Sequence, residues 1–278
     1  MTSEGAVLRP PITAQQTPRD IHCRILYADQ VTIDTWWDVS LRNPFWRLYR
    51  NDKDGASIST PSGLVALPAG ELVLVPAWGR FQGVCHAPIG HFYVHFDPVG
   101  LRGDWDRGCL ERPFVLPPDP ERTAKVDRLR SRIADTAVWR LNMQALLLDC
   151  LAAAAEGLPE AARTRLDQHL ASDDPLAAAL GHIERNLAGR LSIEELARLC
   201  AVSPDHFARL FRARSGKTPS RYIQERRVAI AAERLISSED DIAGISTATG
   251  FANRFHFTRV FTRLMGVPPA TYRRTGRV

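Results

Sequence analysis

Residues 191–274, LSIEELARLCAVSPDHFARLFRARSGKTPSRYIQERRVAIAAERLISSEDDIAGISTATGFANRFHFTRVFTRLMGVPPATYRR, decide the fold because they contain an internal repeat. Phe207, Arg209, Phe211, Gly216, Pro219 and Tyr222 recur fifty positions later as Phe257, Arg259, Phe261, Gly266, Pro269 and Tyr272. Upstream of the turn the offset is one less, so that Leu196 matches Ile245 and Ala201-Val202 match Gly250-Phe251. The second copy therefore carries one extra residue in its turn, and one supersecondary unit is used twice.

Each copy has the grammar of a helix-turn-helix. In the first, Ser192 is the expected N-cap, with Glu195 placed to close a capping box. Leu196, Leu199 and Cys200 recur at helical spacing, and Ala201-Val202 is the turn. Ser203 caps the next helix with Pro204 at its first position, where a missing N–H costs nothing. Phe207, Leu210 and Phe211 form its buried stripe, and Gly216 ends it. Asp205, Ala208, Arg209 and Arg212 remain on the open face. In the second copy Asp240 or Asp241 starts a helix with Ile242 and Ile245, and Gly250 turns. A helix from Asn253 buries Phe257, Val260 and Phe261, leaving Arg254, Thr258, Arg259 and Arg263 outward. Pro268-Pro269 opens a last short helix through Tyr272.

An apolar back and a basic front after a short turn suit the DNA major groove. Arginine contacts guanine bidentately or neutralises phosphate, so Arg209, Arg212, Arg254 and Arg259 are the first candidates. Asp205, Ala208, Asn253 and Thr258 stand near the starts of the recognition helices to tune base choice, and Ser203 with the helix N-termini can hold phosphates. Between the copies, Pro219 to Ser237 reads as one helix with Ile223, Val228, Ala231 and Leu235 inward. At ~1.5 Å per residue it spans roughly 28 Å, near the ~34 Å of one DNA turn.

This stretch resembles the DNA-binding domain of the AraC/XylS family of transcriptional regulators, two helix-turn-helix units joined by a linking helix. The matching residues are Phe207 to Phe211, Gly216, Pro219, Arg227 and Ala232, then Ile242-Ala243, Gly250-Phe251, Phe257 to Phe261, Gly266, Pro269 and Tyr272-Arg273. Three positions depart from the family pattern. Gly244 replaces the usual acidic residue, at ~1 kcal/mol of helix stability relative to Ala; Ser246 replaces the usual Ala; Phe255 stands where a small polar residue is common.

Charge follows the repeat. Residues 180–278 hold 17 Lys and Arg against 9 Asp and Glu, a balance of +8, while the rest balances to −3 within the whole-chain +5. Phosphate neutralisation calls for this concentration. With 45% hydrophobic and 24% charged residues the composition is that of a soluble globular protein of two domains. Cys23, Cys85, Cys109, Cys150 and Cys200 are scattered without CxxC spacing, which reads as reduced thiols and a cytoplasmic location. The first twenty residues lack the apolar core of a signal peptide, and the apolar run Leu146 to Ala155 is too short to span a membrane.

The fold class is read as α+β in four parts. Residues 1–20 are a loose tail. Residues 21–118 alternate β-prone runs with turns: Ile21–Tyr27, Thr32–Val39, Phe45–Tyr49, Gly63–Leu67, Glu71–Val75 and Gly90–Phe96. Residues 119–172 are helical, and 173–278 form the DNA-binding domain, with units at about 192–215 and 241–265. Many short strands predict a sandwich or small barrel. This part resembles the cupin-like barrel that often precedes the DNA-binding domain in the same family, especially PAGELVLVPAW followed by HFYVHF. The resemblance implies a small effector, often a sugar, in the barrel.

Trp36, Trp37, Trp46 and Tyr49 offer faces for stacking, and Arg47, His91, Tyr93 and His95 offer hydrogen bonds. Strand alternation puts His91, Tyr93 and His95 on one face, with Phe92, Val94 and Phe96 on the other. The candidate effector residues are therefore Trp36, Trp46, Arg47, Tyr49, His91, Tyr93 and His95. A metal site at His86, His91 and His95 with Cys85 is opposed by spacing. His91 and His95 lie roughly 13 Å apart at ~3.3 Å per residue, and the His-x-His and Glu of enzymatic cupins are missing. No cofactor, metal or catalytic residue is expected, and no GxSxG, P-loop or GxGxxG stands in a suitable context.

In the helical middle, Val126, Leu129, Ile133 and Ala137 share one spacing. A dense apolar helix carries Leu141, Ala145, Leu148 and Ala152 along a stripe, and Leu166 and Leu170 face inward on a third. Similar helices form the dimer interface in the family, and the other reading is that they simply pack on the barrel. Ser172 to Pro175 is the expected hinge, and Leu176, Leu180, Ile183 and Leu187 make the first helix beyond it. The expected protein is a cytoplasmic homodimeric regulator. It binds a double-stranded DNA operator and a small-molecule effector, with RNA polymerase as a further partner and no membrane. Two other readings stay open: a cupin-type metalloenzyme with a helical appendage, and a ligand-independent DNA-binding protein with a structural barrel.

Overall fold

The computed structural model describes residues 21–37, 40–99, 112–134, 136–171 and 175–276. The expected tail, the hinge at 172–174, Cys109 and the side chain of Leu170 lie outside the described residues.

The chain is α+β. Among the described residues, the strands are β1 (His22–Ile33), β2 (Ser40–Arg42), β3 (Trp46–Asn51), β4 (Ala56–Thr60), β5 (Gly63–Leu67), β6 (Leu72–Val75), β7 (Arg80–Cys85), β8 (Ile89–Val99) and β9 (Phe114–Val115). They form a five-stranded sheet ordered β1-β8-β3-β6-β9 and a four-stranded sheet ordered β2-β7-β4-β5. Two differences from the sequence expectations have clear causes. Of the expected run Thr32–Val39, Thr32 and Ile33 belong to the end of β1 and Thr35–Trp37 form a 3-10 turn, while 38–39 lie outside the described residues. The strands β4 (ASIST) and β7 (RFQGVC) are missed by sequence because Ser, Thr and Gly read as turn formers. Cross-strand pairing overrides that weak local preference.

Alternation sorts the side chains of the five-stranded sheet into two cores. Tyr49, Val73, Val75, Ile89 and Tyr93 meet Ala56, Ile58, Leu67, Phe81 and Cys85 of the facing sheet. On the opposite face Trp46, Leu48, Leu74, Phe92, Val94 and Phe96 pack on α1 (Pro120–Arg130), α2 (Ala137–Glu156) and α3 (Glu160–Ala171). The periodic run through Ile133 and Ala137 does not form one helix. The chain leaves α1 after Arg130, and Thr136 caps α2 by accepting from the Trp139 N–H at 3.2 Å. The buried stripe of α2 is Met143, Leu146, Leu147, Cys150, Leu151 and Ala154, not Leu141, Ala145, Leu148 and Ala152. That helix is apolar nearly all round, so its periodicity could not select a face; the sheet does.

The last third is all helix: α4 (Ala177–Arg185), α5 (Ile193–Leu199), α6 (Pro204–Ser215), α7 (Pro219–Ser237), α8 (Ile242–Ala248), α9 (Arg254–Met265) and α10 (Pro269–Gly276). Leu176, Ala179, Ile183, Leu187, Leu196, Phe207, Phe211 and Tyr222 make one core. Val228, Ala231, Leu235, Ile245, Phe257, Val260, Phe261 and Tyr272 make another, joined by Phe45 from the β region. Among the described residues, no helix is long and apolar enough to cross a membrane.

Candidate functional site

The recognition helices α6 and α9 are fixed at both ends by their own sequence. The Ser203 hydroxyl accepts from the His206 N–H at 3.3 Å, and the Asn253 side chain accepts from the His256 N–H at 2.8 Å. Gly216 and Gly266 end the two helices in the left-handed conformation, with φ of 60° and 83°. Ser192 and Asp241 cap the preceding helices α5 and α8. Glu195 does not close the capping box; its carboxylate lies 3.3 Å from His182 Nε2.

Both turns need a positive φ, and the copies meet the need differently. Ala201 adopts φ 54° and Gly250 φ 82°. A Cβ on Gly250 would lie 2.4 Å from the Leu187 carbonyl oxygen and 2.9 Å from Arg227 Nε, so only glycine fits there. Arg227 fills that space because its guanidinium donates to the Leu187 and Gly189 carbonyls at 2.9 and 2.7 Å. The linking helix is thus tied to the loop before the first unit and pressed against the turn of the second.

Phe207, Phe211, Phe257 and Phe261 are fully buried, which turns the polar stripes outward. Ser203, Asp205, Arg209 and Arg212 are exposed on the first unit and Ala208 is half-buried. Asn253, Arg254, Arg259 and Arg263 are exposed on the second and Thr258 is half-buried. Arg254, Thr258, Arg259 and Arg263 line one shallow groove, shared with Thr262 and with Phe255, which is 86% exposed. Phe255 is the residue that sequence reasoning left off this face; its departure from the family pattern was the available signal. Arg263 also donates to Gln224 Oε1 of the linking helix at 2.7 Å.

The other candidate site lies between the sheets. Arg47, Tyr49, His91, Tyr93 and His95 all point there and are buried. The rings form a chain: Tyr49 to His91 is 4.6 Å, His91 to Tyr93 5.7 Å and Tyr93 to His95 4.9 Å between centroids. Burial lowers the His91 pKa to about 3 and holds His95 well below the ordinary range. His91 Nδ1 stands 2.7 Å from the Asn51 side-chain oxygen, which can only accept, so Nδ1 carries the proton and Nε2 is left as an acceptor.

Two expected members stand elsewhere. Trp46 occupies the alternate face of β3 and packs with Phe96, at 6.3 Å between centroids, on the helical side. Trp36 is 38% exposed on the 3-10 turn. Its neighbour Trp37 turns inward instead, 5.3 Å from His91 and 6.2 Å from Tyr49. In the histidine set weighed for a metal, His86 is exposed at the bend after β7, away from buried His91 and His95.

The two sites are joined by a polar and aromatic seam. Arg226 of α7 meets Asp97 of β8 at 3.0 Å and Glu184 of α4 at 2.8 Å, while Arg24 of β1 meets the same Asp97 at 3.1 Å. The Tyr272 hydroxyl donates to Asn43 Oδ1 at 2.8 Å. His95 stacks on Phe45, 4.5 Å between centroids, and Phe45 enters the core of the second unit.

Comparison with known proteins gives a consistent family. A helix-turn-helix domain family matches residues 196–275. The chain is 32% identical over 96 residues to the multiple antibiotic resistance protein MarA of Escherichia coli, covering 34% of this chain and 76% of that protein. It is 31% identical over 96 residues to the MmsAB operon regulatory protein of Pseudomonas aeruginosa, covering 34% of this chain and 31% of that protein. It spans between 31% and 46% of the length of the first curated relatives it matches. Over nearly the whole chain the fold is similar to that of ToxT from Vibrio cholerae, with a TM-score of 0.60 at 11% identity, covering 90% of this chain and 97% of that one. ToxT bound to an unsaturated fatty acid gives 0.56 at 13% identity, covering 91% and 95%.

Proposed function

The chain belongs to the AraC/XylS family of transcriptional regulators, and on that premise we propose that it binds an operator in double-stranded DNA and regulates transcription in response to a small molecule. The observation that carries this is the pair of capped recognition helices, α6 and α9, packed on one linking helix and exposing Arg209, Arg212, Arg254, Arg259 and Arg263. Ser203, Asp205, Ala208, Asn253 and Thr258 complete the DNA face. Residues 173–278 act as the DNA-binding domain, 21–118 as the effector domain and 119–172 as the dimer-forming segment.

The effector enters the β region near Arg47, Tyr49, His91, Tyr93 and His95, and Trp37 takes the place assigned to Trp36. The fold neighbour ToxT has been solved with an unsaturated fatty acid bound, which supports a small-molecule-responsive regulator in place of a constitutive binder. The protein binds its effector without turnover, works in the cytoplasm, and contacts RNA polymerase when docked at a promoter. It forms a homodimer through the side of α2 that the sheet leaves open, where Val138 is 69% and Leu141 66% exposed.

DNA selection from a random pool, followed by fluorescence anisotropy with and without Arg209→Ala, tests the core of the proposal. A base-reading Arg209 costs ~1–3 kcal/mol at the selected site and less on random DNA. Failure of the full chain to enrich any sequence would overturn it. Sedimentation of Leu141→Asp tests the dimer, with a folded monomer expected.

A further inference from the structure

We infer that the cleft beside β7 takes a small molecule bearing a carboxylate, that Arg47 is the seat of that carboxylate, and that the turn carrying Trp78 passes the event to the second helix-turn-helix unit. The inference rests on reading the chain as an effector-responsive regulator and names the chemical class of the effector.

Arg47 is 1% exposed, and both its terminal guanidinium nitrogens are buried without a hydrogen-bond partner among the described residues. A guanidinium does not shed its proton, so burial cannot be relieved by neutralisation. The charge lies 4.5 Å from the Phe81 ring centroid and 5.2 Å from that of Phe45. These π faces attract the cation but leave its in-plane N–H donors unused. Tyr49, Tyr272 and His95 interact with its charge, and burial favours the neutral form of each. A carboxylate would supply what is missing: a negative charge and two acceptor oxygens that match the guanidinium fork.

The space for such a molecule adjoins the charge. A cleft of about 320 Å³ is lined by Thr60, Ser62, Val75, Pro76, Phe81 and Arg112, among others. This is at the small end of the ~300–1,000 Å³ range of ligand pockets. Val75 is the cross-strand partner of Arg47, and Phe81 is the ring against its guanidinium. Phe81 thus touches both the cleft and the charge, and the inference requires its side chain to move aside when the ligand enters. Arg112 adds positive charge at the rim, while Val75, Pro76 and Phe81 offer an apolar bed.

The same wall reaches the DNA-binding domain. Pro76 and Gly79 line the cleft, and Trp78 between them holds a φ of 64°. Its N–H donates to the Asn43 carbonyl at 2.7 Å, its ring packs on the core of the second unit, and the Lys217 ammonium lies 5.9 Å from it. A ligand that displaces Phe81 and Pro76 favours one position of this turn over another. Such a differential affinity is what shifts a population.

The test uses the full chain with octanoate and benzoate as probes, and octanamide and benzamide as neutral controls. Melting temperature reports binding, and anisotropy on the selected operator reports coupling. At least one acid should raise the melting temperature while its amide does not. Arg47→Met and Arg47→Gln should abolish that rise. Without ligand, at least one of them should melt no lower than wild type, because an unpaired buried charge is gone. Trp78→Gly should keep the acid-induced rise and lose the effect of the acid on DNA affinity. The inference falls if neither acid outperforms its amide, if the Arg47 variants respond like wild type, or if both melt well below it without ligand. It loses its coupling step if Trp78→Gly still transmits. Wild-type DNA binding without ligand is the separate control: its absence would count against the regulatory reading, while the melting data would still judge the carboxylate seat.

Discussion

The two helix-turn-helix units share a sequence pattern but not an environment. The first closes its core within its own domain, with Leu196, Phe207, Phe211 and Tyr222 meeting Ala179, Ile183 and Leu187. The second shares its core with the β region: Ile245, Phe257, Phe261 and Tyr272 pack with Phe45, and Leu26 and Trp78 lie against them. The paired tyrosines make the contrast at atomic scale. Tyr222 reaches Glu184 of its own domain at 3.4 Å, whereas Tyr272 donates to Asn43 at 2.8 Å, 229 residues away in sequence. A repeat in sequence fixes two equal frames; what covers each frame is a separate matter. The second unit is the one whose apolar core the β region helps to build.

The largest expected effect breaks that contrast outright. Phe45 is 2% exposed, so Phe45→Ala should cost ~3–5 kcal/mol. Hydrogen exchange should show the lost protection in α8, α9 and α10 with α4, α5 and α6 spared. Equal loss in both units would mean that the difference between their cores has no energetic weight.

Next come the matched turns. Gly250→Ala places a Cβ 2.4 Å from the Leu187 oxygen at a φ of 82°. The left-handed conformation alone costs roughly 1–2 kcal/mol, so urea denaturation should show a loss of ~2 kcal/mol or more.

Acid should act through the β region, where two buried histidines lie on β8. His91 has its pKa lowered to about 3 and His95 is also held low, both by burial. In the unfolded chain each imidazole takes up a proton below about 6.5, while the native sites stay neutral. Their stabilising contribution is full above about 6.5 and is lost as pH falls from there toward 3. Each site adds a slope of up to ~1.4 kcal/mol per pH unit. His91→Gln should flatten the fall measured between pH 6 and 4; an unchanged slope would mean that His91 is protonated in the native state.

Smaller still are the DNA contacts. Arg259→Ala should resemble Arg209→Ala, at ~1–3 kcal/mol for a base reader, since both are exposed at matching places. The smallest effect is the counterpart of the glycine test. Ala201→Gly removes the strain of φ 54° but gains unfolded-state entropy. The two offset to within ~1 kcal/mol. A large change there would show that the first turn is held by contacts of its side chain.

Much of this protein is local, and local physics is written in sequence. The caps at Ser192, Ser203, Asp241 and Asn253, the stops at Gly216 and Gly266, and the buried phenylalanines depend on neighbours within a few residues. The repeat therefore determines both helix-turn-helix units and the faces they leave open. Alternation along HFYVHF likewise determines which of its residues turn inward.

Tertiary structure decided the rest. Alternation along β3 already sets Trp46 opposite Arg47 and Tyr49, but only the packing shows which face meets the helices and that Trp37, not Trp36, turns to the interior. Spacing could not choose the buried side of α2, which is apolar on both sides. Nor could it show that Arg47 is buried without an acceptor among the described residues, since a lone arginine in a strand is ordinarily a surface residue. That cost arises only when Phe45 and Phe81, 36 positions apart, close over the same guanidinium and exclude the water that would otherwise solvate it.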